Sequence, residues 1–253
     1  VLDITAAKLA EAKIQRYATQ LEASNQELEA FAYSVSHDLR APLRAIDGFS
    51  QALLEDYSDL FNQEARDYFD RIRKNVTRMG LLIENLLSLS RVSRIEIRYT
   101  SINLSSLVQE LVHDLQASEP GRSIKWVIAP DVVVSTDATL IRVVMVNLLQ
   151  NAWKFTSHHT TARIEFGVMH QSGEPIYFVR DDGAGFDMAF SNLLFGVFQR
   201  LHNVNEFPGT GIGLASVQRA IHRQGGRIWA ESAVEQGATF YFTLPGLIFT
   251  SGV

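Results

Sequence analysis

Two long stripes of apolar residues constrain the fold of this chain most strongly. Both show the alternating four- and three-residue spacing of helices that pack side by side. The first stripe consists of Ile14, Tyr17, Leu21, Ser24, Leu28, Phe31 and Val35. The second consists of Ala65, Phe69, Ile72, Val76, Met79, Ile83 and Leu86. We therefore predict two long helices, separated by a turn at residues 56–62.

Each predicted helix exposes an apolar seam, and two helices in a hairpin cannot readily bury both seams. Dimerisation of the hairpin into a four-helix bundle would bury them. We therefore predict a homodimer through the helical hairpin. Pro42 removes a helical hydrogen bond, but apolar residues resume at Ile46, which predicts a kink rather than the end of the first helix.

The pattern changes after residue 95 to a mixture of helical and strand-like segments. Helical periodicity predicts helices at 104–115, 137–151 and 212–224, with Asp137 as an N-terminal cap. Strands are predicted at 123–129, 162–169, 176–180, 227–232 and 238–244. Residues 183–208 contain glycine and show no periodicity. This part is predicted to be an α+β domain with helices on one face of a mixed sheet.

Composition narrows the classes of function. The 253 residues carry a formal net charge of -5, which disfavours general attraction to nucleic acid. No segment approaches the ~18 consecutive apolar residues of a membrane span, so we predict no membrane segment in this fragment, although its parent could be membrane-anchored. The chain has no cysteine, which agrees with a reducing compartment and a cytoplasmic location.

The first polar motif lies on the predicted helix after Asp137. Asn147 and Asn151 are four residues apart, hence on one helical face, and Lys154 follows one turn later. Amide oxygens suit a magnesium ion that bridges phosphates, and a lysine neutralises phosphate charge. Taken alone, the two asparagines also fit exposed or capping amides.

Two glycine-containing motifs follow. Residues 181–186 (DDGAGF) come directly after a predicted strand, where glycines let the backbone approach a planar base and a buried carboxylate accepts a hydrogen bond from an exocyclic amine. Residues 209–214 (GTGIGL) open the last long helix, whose free amides favour a phosphate. Taken alone, the first motif also fits an ordinary Asp-Gly turn.

The order and spacing of the motifs are more specific than any one of them. Residues 195–200 (FGVFQR) stand between the two glycine motifs, and residues 31–43 (FAYSVSHDLRAPL) precede them all. The chain resembles the transmitter core of a sensor histidine kinase over residues 21–244. Residues 31–43 resemble the phosphoacceptor box of that family, and the later motifs resemble its asparagine, first glycine, phenylalanine and second glycine boxes.

The resemblance implies an α+β protein in two parts. The first is an antiparallel helical hairpin that forms a dimeric four-helix bundle, and the second is an α/β sandwich ATP-binding domain of the Bergerat (GHKL) type. It also implies ATP- and Mg²⁺-dependent autophosphorylation on His37, with Asp38 orienting the imidazole and taking its proton. Phosphotransfer to an aspartate of a response-regulator receiver domain would follow.

The resemblance also assigns the nucleotide site. Asn151 would be the magnesium ligand, assisted by Asn147, and Asp181 would read the adenine amine. Residues 187–208 would form a lid over the nucleotide. The other implied binding residues contact phosphate or shape the adenine pocket: Lys154, Gly183, Gly185, Gly209, Gly211 and Gly213.

Two alternatives remain open at this point. Related ATPases of the gyrase, chaperone and mismatch-repair kind carry a glutamate four residues before the magnesium asparagine, whereas this chain has Asn147 there, which favours phosphotransfer over hydrolysis. A regulatory dimer without catalysis is disfavoured because no box residue is missing. One departure from the family pattern is Asp182, where asparagine is common, and its charge lies near the predicted adenine pocket.

These patterns predict four segments. Residues 1–30 would be a signalling coiled-coil helix, whose first five residues resemble the end of a PAS-type sensor domain acting upstream in cis. Residues 31–95 would form the dimerisation and phosphoacceptor domain, and residues 96–246 the catalytic ATP-binding domain. Residues 247–253 would be a tail.

Overall fold

Two long helices make up most of the first compact unit of the chain, residues 1–90. The computed structural model describes residues 4–92, 96–171, 173–202, 206–207 and 209–245. Helix α1 spans Ile4–Asp56 and α2 spans Gln63–Val92, with a 3₁₀ turn at Ser58–Leu60 between them. The predicted pair of helices and their turn are confirmed, and α1 continues past Pro42 to its end at Asp56.

The two helices contact each other through a narrow set of side chains. Leu43 of α1 is buried with Val76, Ile83 and Leu87 of α2. Beside this cluster, Arg73 Nε donates a hydrogen bond to Asp47 Oδ1 at 3.1 Å. The contact fixes α1 and α2 as a hairpin.

Both helices also carry apolar side chains that the hairpin does not cover. Ile72 and Met79 of the second predicted seam are 42% and 45% exposed. Further exposed apolar side chains on α1 are Leu39, Ile46, Phe49 and Leu53. A single hairpin therefore leaves an apolar face uncovered, as expected from the two seams. Most side chains of the first seam lie outside the described residues: Ile14, Leu21, Ser24, Leu28 and Phe31.

The second unit, residues 91–253, contains three complete α-helices, one 3₁₀ helix and seven strands in its described part. The helices are α3 (Leu104–Ser118), α4 (Ala138–Phe155) and α5 (Gly213–Arg223). The strands are β1 (Tyr99–Asn103), β2 (Ile124–Ile128), β3 (Val133–Asp137), β4 (Ala162–Gln171), β5 (Glu174–Asp181), β6 (Ile228–Ser232) and β7 (Ala238–Phe242).

Five of the strands form one mixed sheet in the order β2-β4-β5-β7-β6. The pair β2 and β4 is parallel, and the other neighbours are antiparallel. The main core joins the helices to alternate residues of the sheet, such as Leu148 of α4, Val217 of α5 and Phe166 of β4. The other residues of the central strands, including Phe178 and Tyr241, form a smaller separate cluster. The predicted α+β architecture, with helices on one face of a mixed sheet, is confirmed.

Strands β1 and β3 were not predicted. They pair antiparallel as a separate two-stranded sheet, with Tyr99 opposite Asp137 and Asn103 opposite Val133. Each has only five residues, and the first three residues of β1 are exposed. Their sequences, YTSIN and VVSTD, do not alternate between apolar and polar residues, so they lack the pattern of a half-buried strand.

Helix α4 starts where its sequence predicts. Asp137 Oδ1 accepts hydrogen bonds from the backbone N–H groups of Thr139 and Leu140, both at 3.0 Å. These bonds satisfy two of the amides that have no partner within the helix, and the predicted cap is confirmed. The cap fixes the start of the helix that carries the two asparagines. In the described part of the chain, no helix has the length and apolarity needed to cross a membrane.

Candidate functional site

Asn147 places the asparagine motif of α4 against the second glycine motif, residues 209–214, at the N-terminus of α5. Asn147 and Asn151 lie on a half-buried face of α4. Asn147 Nδ2 donates a hydrogen bond to Val143 O at 2.8 Å. Its Oδ1 faces Gly213, because a Cβ placed on that glycine would lie 2.6 Å from the oxygen. The asparagine face of α4 therefore meets the N-terminus of α5.

Lys154 lies beside the second glycine motif, residues 209–214. Its Nζ is 4.1 Å from the centroid of the Phe155 ring, and a Cβ on Gly209 would lie 3.3 Å from it. Burial, and then the positive charge of Arg200, lower the pKa of Lys154 to about 8. Two positive side chains thus lie close to a backbone without side-chain bulk, which is an arrangement suited to an anion.

Arg200, in the phenylalanine motif at residues 195–200, donates hydrogen bonds to the backbone of Phe207 and Gly209. Its Nη1 donates to Gly209 O at 2.8 Å, and its Nη2 donates to Phe207 O at 2.6 Å. The sequence motif at residues 195–200 gave no indication of a role for Arg200. Its contacts with residues seven and nine positions later show that it holds the backbone there.

Asp181 ends strand β5 as a buried carboxyl group, 5% exposed. Its Oδ1 accepts a hydrogen bond from the N–H of Gly183 at 3.0 Å. Burial raises the pKa of Asp181 to about 7, although the amides of Gly183 and Ala238 oppose the rise, and the charge of Asp182 adds to it. Burial makes the charged form of Asp181 energetically unfavourable relative to the same group in water. A hydrogen bond donated by a ligand would lower that cost.

The loop after Asp181 requires its glycines. A Cβ on Gly183 would overlap the carbonyl oxygen of Phe155, and the next amide, that of Ala184, donates to the same oxygen at 3.1 Å. Gly185 has φ +59, and a Cβ there would overlap the carbonyl oxygen of Ala233. The C-terminus of α4 is thereby bonded to the loop that follows Asp181.

The second glycine segment is similarly crowded. Gly211 has φ +74, and a Cβ there would lie 2.7 Å from Gln199 O. Its carbonyl oxygen accepts a hydrogen bond from Phe198 N at 3.0 Å, and Phe198 itself has φ +64. A bulky residue rarely adopts this left-handed conformation. The phenylalanine motif is therefore bonded to the segment that opens α5.

The predicted lid contains a regular element that its sequence did not indicate. A 3₁₀ helix spans Met188–Leu193, and Asp187 Oδ1 caps it by accepting a hydrogen bond from Ala189 N at 2.9 Å. At the other end of the lid, Phe207 is 1% exposed, and its ring lies 5.1 Å from that of Phe155 and 5.2 Å from that of His202. Pro208 lies outside the described residues.

The Asp182 carboxylate is hydrogen-bonded to the backbone of the neighbouring strand β4. Its Oδ1 accepts a hydrogen bond from Arg163 N at 2.9 Å, and the side chain is 49% exposed. His159 Nδ1 lies 3.9 Å from the same oxygen. An aspartate is accommodated here because a backbone amide and water both solvate it.

His37 and Asp38 lie in α1, in the first unit. The His37 side chain lies outside the described residues, and the Asp38 side chain is exposed. In the second unit, the structure brings Asn147 to Gly213, Lys154 to Gly209, and Gly183 to Asp181. No pattern in the sequence indicated that Phe155 contacts Phe207 of the predicted lid.

Replacing Gly213 with alanine tests the contact between α4 and α5. The new Cβ would displace the Asn147 side chain, whereas the fold should persist because a side-chain end can move. We expect nucleotide binding at least about tenfold weaker, since each 1.4 kcal/mol lost is a factor of ten, with an unchanged thermal unfolding midpoint. Gly121→Ala is the matched control, because among the described residues other than its two chain neighbours none has an atom within 4 Å of its Cβ position. Equal binding by both variants would contradict the contact.

Two family models match this sequence. Residues 27–94 match the His Kinase A (phospho-acceptor) domain. Residues 136–247 match the family described as histidine kinase-, DNA gyrase B- and HSP90-like ATPase. The first match contains His37, and the second contains every residue of the candidate site in the second unit.

Curated relatives extend this similarity over most of the chain. Cyanobacterial phytochrome A of Nostoc sp. (strain PCC 7120) is 35% identical over 235 residues, which are 92% of this chain and 30% of that protein. The methanogenesis regulatory histidine kinase FilI of Methanothrix harundinacea is 36% identical over 237 residues, 93% of this chain and 26% of that protein. The chain thus spans less than a third of the length of these two relatives.

Solved structures show the same fold. Full-length ShkA in complex with AMPPNP superposes with a TM-score of 0.61 at 24% identity, covering 85% of this chain and 45% of that one. The histidine kinase AdeS of Acinetobacter baumannii gives a TM-score of 0.54 at 20% identity, covering 82% of this chain and 96% of that one.

Proposed function

Since this chain belongs to the sensor histidine kinases, as a transmitter core, we propose that it uses ATP to phosphorylate its own His37. The observation that carries the proposal is the arrangement of groups in the second unit. The loop after the buried carboxyl group of Asp181 is bonded to the C-terminus of α4, where Lys154 faces Gly209. Asn147 meets Gly213 two turns earlier on the same helix. These are the groups that an adenine base and a chain of phosphates require.

The residues fit both the adenine base and the phosphates of ATP. Asp181 would accept a hydrogen bond from the adenine amine, which favours the charged carboxylate. Lys154 and the N-terminal amides of α5 would bind phosphate, as helix N-termini do. The absence of a Cβ at Gly209 and Gly213 leaves room beside the polar ends of Lys154 and Asn147.

Magnesium is the second group that the site would take. Asn151, with Asn147, would hold the ion through amide oxygens, which are hard ligands of the kind Mg²⁺ prefers. When bound, Mg²⁺ neutralises charge on the phosphates. The glutamate that the hydrolytic relatives use to activate water is replaced here by Asn147, whose amide cannot accept a proton from water.

The chemical step needs a nucleophile and a proton acceptor. The neutral imidazole of His37 would attack the γ-phosphorus, so that an N–P bond forms and the bond to the ADP oxygen breaks. Asp38 would orient the ring and accept the proton that the imidazole loses. The phosphohistidine would then pass its phosphoryl group to an aspartate of a response-regulator receiver domain.

The family match at residues 27–94 implies dimerisation, and we propose that the helical hairpin is the dimer interface. The exposed apolar side chains of α1 and α2, among them Phe49 at 73% and Met79 at 45%, support it. Association would remove this apolar area from water.

The proposal also assigns a role to each segment of the chain. We propose that residues 1–30 carry signals from an upstream sensor domain in cis and that residues 31–95 dimerise and accept the phosphoryl group. Residues 96–246 would bind ATP, and residues 247–253 would form a tail. We further propose a cytoplasmic location.

Incubation of the purified chain with Mg²⁺ and γ-labelled ATP tests the function directly. We expect the chain to acquire label that survives base and is lost in acid, because a phosphoramidate bond hydrolyses in acid. His37→Gln should remove the label. His113→Gln should retain it, since His113 is exposed on α3 in the second unit.

Two results would contradict the proposal. Equal labelling of His37→Gln and the wild-type chain would show that another residue accepts the phosphoryl group. Steady release of inorganic phosphate without labelled protein would instead indicate an ATPase of the gyrase and HSP90 kind.

A further inference from the structure

The turn between β6 and β7 packs against the loop that follows Asp181. The N–H of Glu235 donates to Ala184 O at 2.7 Å. A Cβ on Gly185 would lie 2.9 Å from Gly237 O. Gly237 has φ +82, and its Cα faces the carbonyl oxygen of Asp181 so closely that a Cβ would overlap it. The position of this turn therefore determines the position of the loop.

Ser232, the last residue of β6, makes two hydrogen bonds across this contact. Its Oγ accepts a hydrogen bond from Phe186 N at 2.8 Å and donates one to Gly237 O at 2.7 Å. A hydroxyl group serves as donor and acceptor at once. One side-chain atom thus joins the end of the Asp181 loop to the turn.

The register of the sheet connects Ser232 to the Asp181 carboxylate. Ala238 pairs with Ser232 on one side and with Asp181 on the other. Gly183 N–H donates a hydrogen bond to Asp181 Oδ1 at 3.0 Å, and the amides of Gly183 and Ala238 both favour the charged form of Asp181 and so lower its pKa. Ala238 directly follows Gly237, which Ser232 holds. A shift of the turn would therefore change the hydrogen bonds that orient Asp181.

We propose that Ser232 is a positioning residue that holds Asp181 in the geometry that distinguishes adenine from guanine. The inference rests on the proposed function, in which Asp181 accepts a hydrogen bond from the adenine amine. Guanine presents a carbonyl oxygen in place of that amine, so the buried carboxylate would face a second acceptor. Selectivity of this kind is large because a buried polar group is left unpaired, and it depends on where the carboxylate points.

The test is the equilibrium binding of ATP and of GTP, each with Mg²⁺, to the full chain. For Ser232→Ala we expect ATP binding about tenfold weaker and GTP binding changed by less than about twofold, since loss of oriented hydrogen bonds affects only the base that uses them. Ser232→Thr keeps the hydroxyl and should restore the preference for ATP to within about twofold of wild type.

Thr243→Val is the matched control. Thr243 Oγ1 accepts a hydrogen bond from Arg227 N at 3.1 Å, at the opposite end of the same strand pair. Removing that hydroxyl should leave the ratio of ATP to GTP affinity unchanged. An equal loss of preference in Thr243→Val and Ser232→Ala would overturn the proposal, because general loosening of the hairpin would then explain both.

Two further outcomes decide the inference. An unchanged ratio of ATP to GTP affinity in folded Ser232→Ala overturns the proposal. If that variant does not fold, Ser232→Cys takes its place in the test, because a thiol is a weaker donor and acceptor of similar size. A partial loss of preference in Ser232→Cys supports the proposal, and an unchanged ratio overturns it. A wild-type chain that binds neither nucleotide would overturn the proposed function itself.

Discussion

Asn151→Ala is expected to reduce ATP-dependent phosphorylation of this chain by more than about 100-fold. The substitution removes the amide oxygen proposed to hold Mg²⁺, and a bound metal ion contributes several kcal/mol of charge stabilisation in the transition state. Asn151 lies on a half-buried face of α4, so alanine should preserve the helix. The measurement is the initial rate of labelling with γ-labelled ATP over a series of magnesium concentrations.

Gln150→Ala provides the control for this prediction. Gln150 is the neighbouring residue of the same helix and carries an amide of the same type, but it is exposed on a different face. Its substitution should leave the labelling rate within about twofold of wild type, as surface substitutions usually do. Normal labelling in Asn151→Ala would remove the metal assignment, and an equal loss in both variants would point to damage to α4 instead.

ATP affinity is expected to fall about fivefold between pH 8 and pH 6, because protonation of Asp181 lowers it about tenfold and protonation of Lys154, whose pKa is lowered to about 8, raises it by up to about twofold. The pKa of Asp181 is raised by burial to about 7, so most molecules carry a charged Asp181 at pH 8 and a protonated one at pH 6. The adenine amine donates its hydrogen bond to the charged form. Binding therefore favours the deprotonated protein and weakens as pH falls through the pKa. Isothermal titration at several pH values measures the slope.

Asp181→Asn separates this effect from the titration of the nucleotide. An amide has no charge to lose in this range, so the variant should bind ATP more weakly at pH 8 and show a smaller dependence on pH. Ionisation of the ATP phosphates contributes equally to both proteins, and the difference between the two slopes isolates Asp181. Equal slopes would show that the carboxylate does not titrate where the base binds.

Local signals predicted much of the fold and the site. The apolar spacing and the Asp137 cap predicted α4, because both signals come from residues close together in the sequence. Gly185 and Gly211 were identified as special positions, and both have positive φ. The helical stripe, the cap and a glycine in a turn motif are all signals that nearby residues carry, although the carbonyl oxygens that crowd Gly185 and Gly211 come from distant residues.

Other features depend on partners that the sequence does not bring together. The short strand β1 pairs with residues 30 to 38 positions later, and its own residues are mostly exposed. The hydrogen bond between Ser232 and Phe186 spans 46 residues, and no local pattern marks that serine. Arg200, within the predicted lid, and Phe155, outside it, likewise acquire their roles only through contacts with Phe207.

Helix α4 connects the two ends of the candidate site. Its last carbonyl, that of Phe155, accepts the hydrogen bond from the Asp181 loop, and Asn147 meets the N-terminus of α5 two turns earlier. Eight helical residues span about 12 Å, and a packed helix resists stretching. The helix therefore holds Asn147 at a fixed distance from the loop that follows Asp181. In the proposed function, a nucleotide that contacts both Asp181 and the N-terminus of α5 must span this distance.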